Sequence, residues 1–112
     1  MKAAVEFFCA TLGFTPPSRL QGGEGEPPVY AVVRRAGIAV HLQIRRGPPA
    51  ERHDEHETEA SFLVDDVDAL HAEFVAKGVR FLRDIQDEPY GMRDFTIETP
   101  FGLRLGFCAP LR

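Results

Sequence analysis

The 112-residue chain has no surplus of basic residues, no long apolar run and only two cysteines. Thirteen lysines and arginines against seventeen acidic residues give a net charge of −4, which argues against a nucleic-acid-binding surface. No apolar stretch approaches the roughly 20 residues that a helix needs to cross a bilayer, so no membrane partner is predicted. We also expect no secretory signal, because no basic stretch precedes a long apolar run near the first residue.

The two cysteines and the absence of familiar catalytic motifs further restrict the reactions that the protein could carry out. Cys9 and Cys108 both fall inside apolar segments, so buried reduced thiols are favoured over a disulfide, and the chain is predicted to be cytoplasmic. The sequence shows no Ser-His-Asp order, no reactive-cysteine setting and no phosphate-binding glycine loop. Its length suits one small domain with one core.

The chain does contain an internal repeat at an offset of 65 residues. The pairs that show it are Gly13 with Gly78, Tyr30 with Phe95, Val32 with Ile97 and Gly37 with Gly102. Gly13 and Gly78 each follow an apolar helical run, and Gly37 and Gly102 each open an apolar strand. A fixed offset at separated points indicates two copies of one supersecondary unit.

Hydrophobic periodicity assigns the elements of both copies. The first copy is predicted as a helix at 3–12 and strands at 14–20, 29–35 and 38–45. The second copy is predicted as a strand at 60–64, a helix at 67–77, and strands at 79–85, 95–98 and 103–108, with a loop at 86–93. We therefore predict an α+β fold of tandem βαβββ modules in one domain, 1–112, with module 1 at about 1–46, a linker at 47–58 and module 2 at 59–110. The first module lacks its first strand, which is either lost or encoded upstream of Met1.

Alternation along the strands predicts which side chains lie under each helix. The predicted inward residues are Val40, Leu42 and Ile44 in the first module, and Leu103, Leu105 and Phe107 in the second. The predicted inner stripe of the second helix is Val67, Leu70, His71, Phe74 and Val75. The outward faces then carry mixed polar residues, and two such faces can enclose a cleft.

The order of these segments resembles the vicinal oxygen chelate superfamily, which includes glyoxalase I, extradiol dioxygenases and bleomycin resistance proteins. The segments that carry the resemblance are 5–8, 12–14, 40–42, 64–70, 77–79, 90–95 and 99–102. The last two, Tyr90 to Phe95 and Thr99 to Gly102, resemble the end of bleomycin-resistance-type members. The resemblance covers nearly the whole chain and implies the tandem βαβββ fold.

The resemblance also implies where a metal would bind. In metal-dependent members the ligands come from the first and last strands of each module, and here those positions fall on His41, near Glu59 and on Gly106. Gly106 offers no side chain and one strand is missing, so we predict no metal and no cofactor, with weak binding by His41 and Glu59 left open. His53 and His56 lie in the polar linker and are interpreted as part of a solvated loop.

Six residues are candidate ligand contacts by alternation or by the resemblance: His41, Gln43, Tyr90, Arg93, Phe101 and Arg104. For Arg93 the alternative is an ion pair with a neighbouring acid beside a turn that Gly91 permits. For Arg104 the alternatives are pairing with Glu98 or Glu59, or contact with an anionic ligand.

The sequence thus favours a metal-free small-molecule-binding protein of the bleomycin-resistance or glyoxalase-like type that sequesters its ligand in a cleft. The alternative is a metal-dependent lyase or dioxygenase of the same superfamily, so whether the chain is an enzyme stays open. A third possibility is a dimer whose concave face serves a partner and holds no ligand. A homodimer is expected in any case, because the missing strand leaves an unpaired sheet edge.

Overall fold

The computed structural model describes residues 2–17, 30–43 and 58–111, which fall into two compact units, Met1–Glu51 and Arg52–Arg112. Each unit contains helical and strand segments, so the fold is α+β as predicted. Within the described residues, every helix is too short or too polar to cross a membrane.

The first unit is a helical segment and a β-hairpin. Helix α1, Lys2–Glu6, runs directly into a π-helical turn, Phe7–Thr11. Strands β1, Tyr30–Arg35, and β2, Ile38–Gln43, pair antiparallel, and Thr15 forms an isolated bridge to Arg34 of β1. The predicted strand at 14–20 is therefore represented by this bridge alone within the described residues, and its last three residues lie outside them.

The π-helical turn corrects the prediction of one regular helix at 3–12, and it reveals how the repeat diverges. In the first unit the Phe14 N–H donates to the Phe8 carbonyl at 2.9 Å, whereas in the second the Val79 N–H donates to the Phe74 carbonyl at 3.1 Å. The first helical end therefore holds one extra residue. Phe8 corresponds to Phe74, and both rings are buried. The offset between these two residues is one longer than the offset between the paired glycines. A single inserted residue accommodated in a π-turn explains this shift.

Four glycines preserve the repeat in the backbone itself. Gly13 and Gly78 have φ of 77° and 72°, and Gly37 and Gly102 have φ of 84° and 85°. Positive φ of this size is accessible to glycine without the steric penalty that a Cβ brings. The left-handed glycines thus recur at the predicted offset, but the hairpins around them differ, since two residues separate β1 from β2 whereas the hairpin around Gly102 has a five-residue turn.

The second unit is a four-stranded sheet with one helix. Strand β3, Ala60–Leu63, is followed by helix α2, Val67–Ala76, and by three further strands: β4, Arg80–Asp87, β5, Met92–Glu98, and β6, Arg104–Pro110. The sheet order is β3-β6-β5-β4, with β3 parallel to β6 and the other pairs antiparallel. Asp66 caps α2, since its side chain accepts a hydrogen bond from the Ala69 N–H at 3.0 Å.

The predicted loop at 86–93 is wrong in extent, because half of it is strand. Gln86 and Asp87 pair with Asp94 and Arg93 across a tight turn. The turn is closed by hydrogen bonds from the Glu88 N–H to the Met92 carbonyl at 2.7 Å and from the Gly91 N–H to the Glu88 carbonyl at 3.1 Å. The polar residues that suggested a loop belong to a hairpin instead.

Aromatic rings form the core between α2 and the sheet. Phe74 of α2 meets Phe95 and Phe107 edge-on, with centroids 5.9 and 5.3 Å apart, and Phe95 and Phe107 stack on each other at 5.4 Å. All three are almost fully buried. Val67 and Leu70 are buried as predicted, but Val75 is 55% exposed because it lies about 100° around the helix from Phe74. His71 packs beside Phe81 and Phe95 at the edge of this core.

The hairpin of the first unit has the predicted alternation. Leu42 of β2 is buried, as are Ala31 and Val33 of β1, while His41 and Gln43 are exposed. The predicted inward residue Ile44 lies outside the described residues.

Candidate functional site

The sheet face of the second unit that is turned away from α2 carries two rows of mixed side chains. The strand register sets the first row across all four strands as Ser61, Gly106, Thr96 and Arg83. It sets the second row as Leu63, Cys108, Asp94 and Gln86. These residues alternate with the buried rings under the helix, so they share the opposite face.

All of these residues except Leu63 and Gln86 line a pocket of about 280 Å³, which we call the open-face pocket. Its lining residues are Thr58, Ser61, Arg83, Tyr90, Met92, Asp94, Phe95, Thr96, Gly106, Phe107 and Cys108. The lining combines apolar side chains with a few polar ones, as in small-molecule sites.

The absence of a side chain at Gly106 shapes the pocket floor. A Cβ built on Gly106 would lie 2.9 Å from the Ser61 hydroxyl oxygen, closer than real Cβ contacts come. Ser61 is in turn 3.2 Å from the Thr58 hydroxyl, so its side chain is held over the glycine. The position that the resemblance assigns to a metal ligand therefore has no side chain, and the Ser61 hydroxyl lies beside it.

A charged cluster forms one end of the open-face pocket, where β4 turns into β5. An Arg83 nitrogen and the Gln86 amide both donate to the same oxygen of Glu88, at 2.8 and 2.7 Å. The Tyr90 hydroxyl donates to Oδ2 of Asp94 at 2.7 Å. Oδ1 of Asp94 is buried and has no hydrogen-bond partner among the described residues.

The protonation equilibria of this cluster follow from burial and from these bonds. Burial, with smaller contributions from Glu88, raises the pKa of Asp94. The hydrogen bond to Asp94 is the main reason that the pKa of Tyr90 rises to about 12, so this phenol remains a donor at neutral pH. The hydrogen bond from Gln86 and the contacts with Arg83 lower the pKa of Glu88. The cluster thus contains two carboxyl groups, those of Glu88 and Asp94, and one guanidinium, that of Arg83.

Tyr90 and Arg93, both predicted ligand contacts, lie on different faces of the sheet. Tyr90 lines the open-face pocket and is 66% exposed. Arg93 shares the face of Phe95 and pairs with Asp68 of α2 at 2.9 Å and with Asp87 at 2.8 Å. The structure therefore does not bring Arg93 into this pocket, and the ion-pair alternative describes it.

Phe101 and Arg104 lie outside the residues that line the open-face pocket. Phe101 is 40% exposed in the turn between β5 and β6. Arg104 is half-buried at the start of β6, opposite Glu98 in the register, and its backbone N–H donates to the Glu59 carboxylate. Because acidic residues stand on both sides of Arg104, its charge does not by itself require an anionic ligand.

His41 and Gln43 belong to the first unit. His41 Nδ1 contacts the Tyr30 hydroxyl, and the two rings meet edge-on with centroids 5.6 Å apart. Gln43 is exposed at the end of β2, opposite Tyr30 in the register.

The described residues contain no group of three or more His, Cys, Asp and Glu side chains arranged to hold a metal ion. Glu59, the second candidate ligand, uses its carboxylate on the Arg104 backbone. His53 and His56 lie outside the described residues. The expectation of a metal-free protein stays a prediction.

Sequence reasoning missed most of the open-face pocket. Asp94 lies in the segment that carried the family resemblance, but the predicted loop at 86–93 hid the alternation leading to it. Continuing that alternation backwards from Phe95 would have put Met92, Asp94 and Thr96 on one face and Arg93 on the other. Cys108, whose pKa is raised by burial, would have followed from the same rule applied to β6.

Comparisons with known proteins agree with this architecture. A family model described as Glyoxalase/Bleomycin resistance protein/Dioxygenase superfamily matches residues 1–107. A comparison with curated proteins found no match to the chain.

Several solved structures share the fold. TnmS3, an antibiotic binding protein from Streptomyces sp. CB03234, superposes with a TM-score of 0.71 at 24% identity, covering 97% of this chain and 85% of that one. TioX from Micromonospora sp. ML1 superposes with a TM-score of 0.71 at 22% identity, covering 99% of this chain and 88% of that one. A putative glyoxalase family protein from Bacillus anthracis superposes with a TM-score of 0.68 at 18% identity, covering 97% of this chain and 83% of that one.

At these identities the structural likeness establishes the fold alone. The family model goes further, because it covers nearly the whole chain and agrees with the repeated units and their matched glycines. The chain belongs to the Glyoxalase/Bleomycin resistance protein/Dioxygenase superfamily.

Proposed function

We propose that this chain is a small-molecule-binding protein that holds its ligand in the open-face pocket without a metal ion. The observation that carries the proposal is the pocket itself, in which hydroxyl, carboxylate, thiol and thioether groups line one face of a sheet whose other face is packed. The antibiotic-binding description of TnmS3 supports a ligand of natural-product type. The absence of a side chain at Gly106 supports binding without a metal.

A ligand screen by thermal shift tests this proposal. Peptide antibiotics, glutathione adducts and aromatic diols represent the ligand classes of the superfamily that the sequence resembles. A ligand that binds only the native state at 100 times its Kd should stabilise the protein by about 2.7 kcal/mol. The effect should persist after treatment with a chelator. Stabilisation that requires one stoichiometric divalent metal would favour the lyase or dioxygenase alternative instead.

We also propose that the protein is a homodimer. The first repeat has no counterpart of β3 among its described residues, and β3 itself is an edge strand whose Leu63 is 67% exposed. Edge strands with exposed apolar side chains favour pairing between chains. Light scattering over a concentration range should give the dimer mass, and a monomer at every concentration would contradict the proposal.

The free thiols of Cys9 and Cys108 support a reducing, cytoplasmic location.

A further inference from the structure

We propose that the ligand of the open-face pocket carries a cationic hydrogen-bond donor, such as a primary ammonium or an amidinium group, and that the carboxylate of Asp94 receives it. The inference rests on the proposed function, since it names the ligand chemistry of the same pocket. It differs from the anionic ligand that was one alternative for Arg104, a residue that lies outside this lining.

The charge balance of the pocket supports a cation. Arg83 is the one basic residue among the described residues that line it, and its guanidinium is bound to Glu88 at 2.8 Å. This pair is largely buried, with side-chain exposures of 17% and 10%. The charge of Arg83 is therefore balanced by Glu88, which leaves the carboxylate of Asp94 as the excess charge at this end of the pocket.

The hydrogen bonds of Asp94 support a donor in particular. Oδ2 accepts the Tyr90 hydroxyl, while Oδ1 is buried and accepts no hydrogen bond from the described residues. The neighbouring carboxyl of Glu88 can bond to Asp94 only if the two share a proton, which raises the pKa of Asp94. An ionised carboxylate has about four acceptor sites, and a buried acceptor without a donor is costly to fold. An organic cation would supply both the missing protons and the missing charge.

Access to Asp94 requires one side chain to move. Oδ1 has almost no solvent-accessible surface, so a ligand reaches it after a local rearrangement. Tyr90 is best placed to move, because it is 66% exposed on the turn between β4 and β5 and holds Asp94 through its hydroxyl. Rotation of this side chain would open the carboxylate and would place an aromatic ring beside the bound cation, an arrangement that is itself favourable.

Protons should compete with the cation at this carboxylate. The titratable groups that act on Asp94 are Glu88, Arg83 and Tyr90, and Cys108 lies next to it in the register. The raised pKa of Asp94 means that it takes up a proton at a higher pH than an ordinary aspartate does. Affinity for a cation should therefore weaken as the pH falls through that pKa, while affinity for a neutral ligand should not.

Three matched probes test the inference: benzylammonium, benzyl alcohol and benzoate, which share a ring and differ in the charge of one group. Binding to the full chain is measured by amide chemical-shift changes in NMR titrations. We expect benzylammonium to bind about tenfold or more tightly than benzyl alcohol, as for a hydrogen bond to a charged group. Benzoate should be the weakest of the three.

Two variants that each remove one carboxylate provide the test and its control. Asp94→Asn keeps the size of the side chain and an acceptor for Tyr90, and it should abolish the preference for benzylammonium. Asp84→Asn removes a carboxylate that bonds His71 on the other side of the sheet, and it should keep the preference. Both variants are checked for an intact fold by their amide spectra.

The outcomes separate this inference from the proposed function. Equal binding of all three probes at the open-face pocket would overturn the cation preference and leave small-molecule binding intact. A preference that survives Asp94→Asn would also overturn it. Shift changes outside the pocket, or none with any probe, would count against the inference and the proposed site together.

Discussion

Replacing Phe95 with alanine should remove about 3–5 kcal/mol of the free energy of unfolding, the usual cost of truncating a buried phenylalanine. Phe95 has no exposed surface and touches the rings of Phe74, Phe81 and Phe107. A domain of this size is stabilised by about 5–15 kcal/mol in total. The variant should therefore unfold at a much lower urea concentration than the wild type, as followed by circular dichroism.

Phe101→Ala is the matched control for that loss. It deletes the same ring from a turn where the side chain is 40% exposed, so the free energy of unfolding should change by less than about 1 kcal/mol. If the two variants lose similar amounts, the aromatic core between α2 and the sheet does not hold the second unit together.

Removing the guanidinium of Arg83 should have the second largest effect, and this effect should depend on pH. In Arg83→Met, the carboxyl groups of Glu88 and Asp94 face each other without a cation. We expect the melting temperature to fall by several degrees near pH 7 and by much less near about pH 4, where the carboxyl groups gain protons. The double variant Arg83→Met/Glu88→Gln should recover most of the loss near pH 7.

The sign of this dependence follows from the two pKa shifts in the wild type. The lowered pKa of Glu88 gives stability that is present above the ordinary glutamate pKa and is lost as the pH falls through its folded value. The raised pKa of Asp94 acts in the opposite direction, since its contribution is present at low pH and is lost as the pH rises through its folded value. Without Arg83 the benefit at Glu88 shrinks and the cost at Asp94 grows. An equal loss at both pH values would show that Arg83 acts through packing and not through charge.

The sequence predicted the outline of the repeat and the alternation of its last strands because both follow from simple periodicities. The predicted match of Tyr30 with Phe95 and Val32 with Ile97 was wrong by one residue, since Ala31 and Val33 are the buried residues of β1. Leu105 and Phe107 lie under α2 and Gly106 faces away, as a period of two requires. The one-residue insertion near Phe8 could not be read from the pattern. An apolar stripe of ten residues fits an α-helix and a π-turn almost equally well.

The candidate site was harder to predict, for two physical reasons. The polar stretch at 86–93 looked like a loop, although its residues pair across a hairpin, and this hid the face on which Asp94 lies. The second reason is a register shift in β4, which puts Phe81 opposite Ile97 but Arg83 opposite Thr96. Such a bulge moves Arg83 onto the pocket face, and alternation alone gives no sign of it.

Mapping a bound ligand on the sheet of the second unit tests the central claim most directly. The tightest ligand from the thermal-shift screen is titrated into the isotope-labelled protein in the presence of a chelator. We predict that the largest amide shifts fall on the pocket rows that contain Ser61, Asp94, Thr96 and Cys108, with little change along α2. Shifts confined to α2 and the helix-covered face, or binding that disappears with the chelator, would contradict the account.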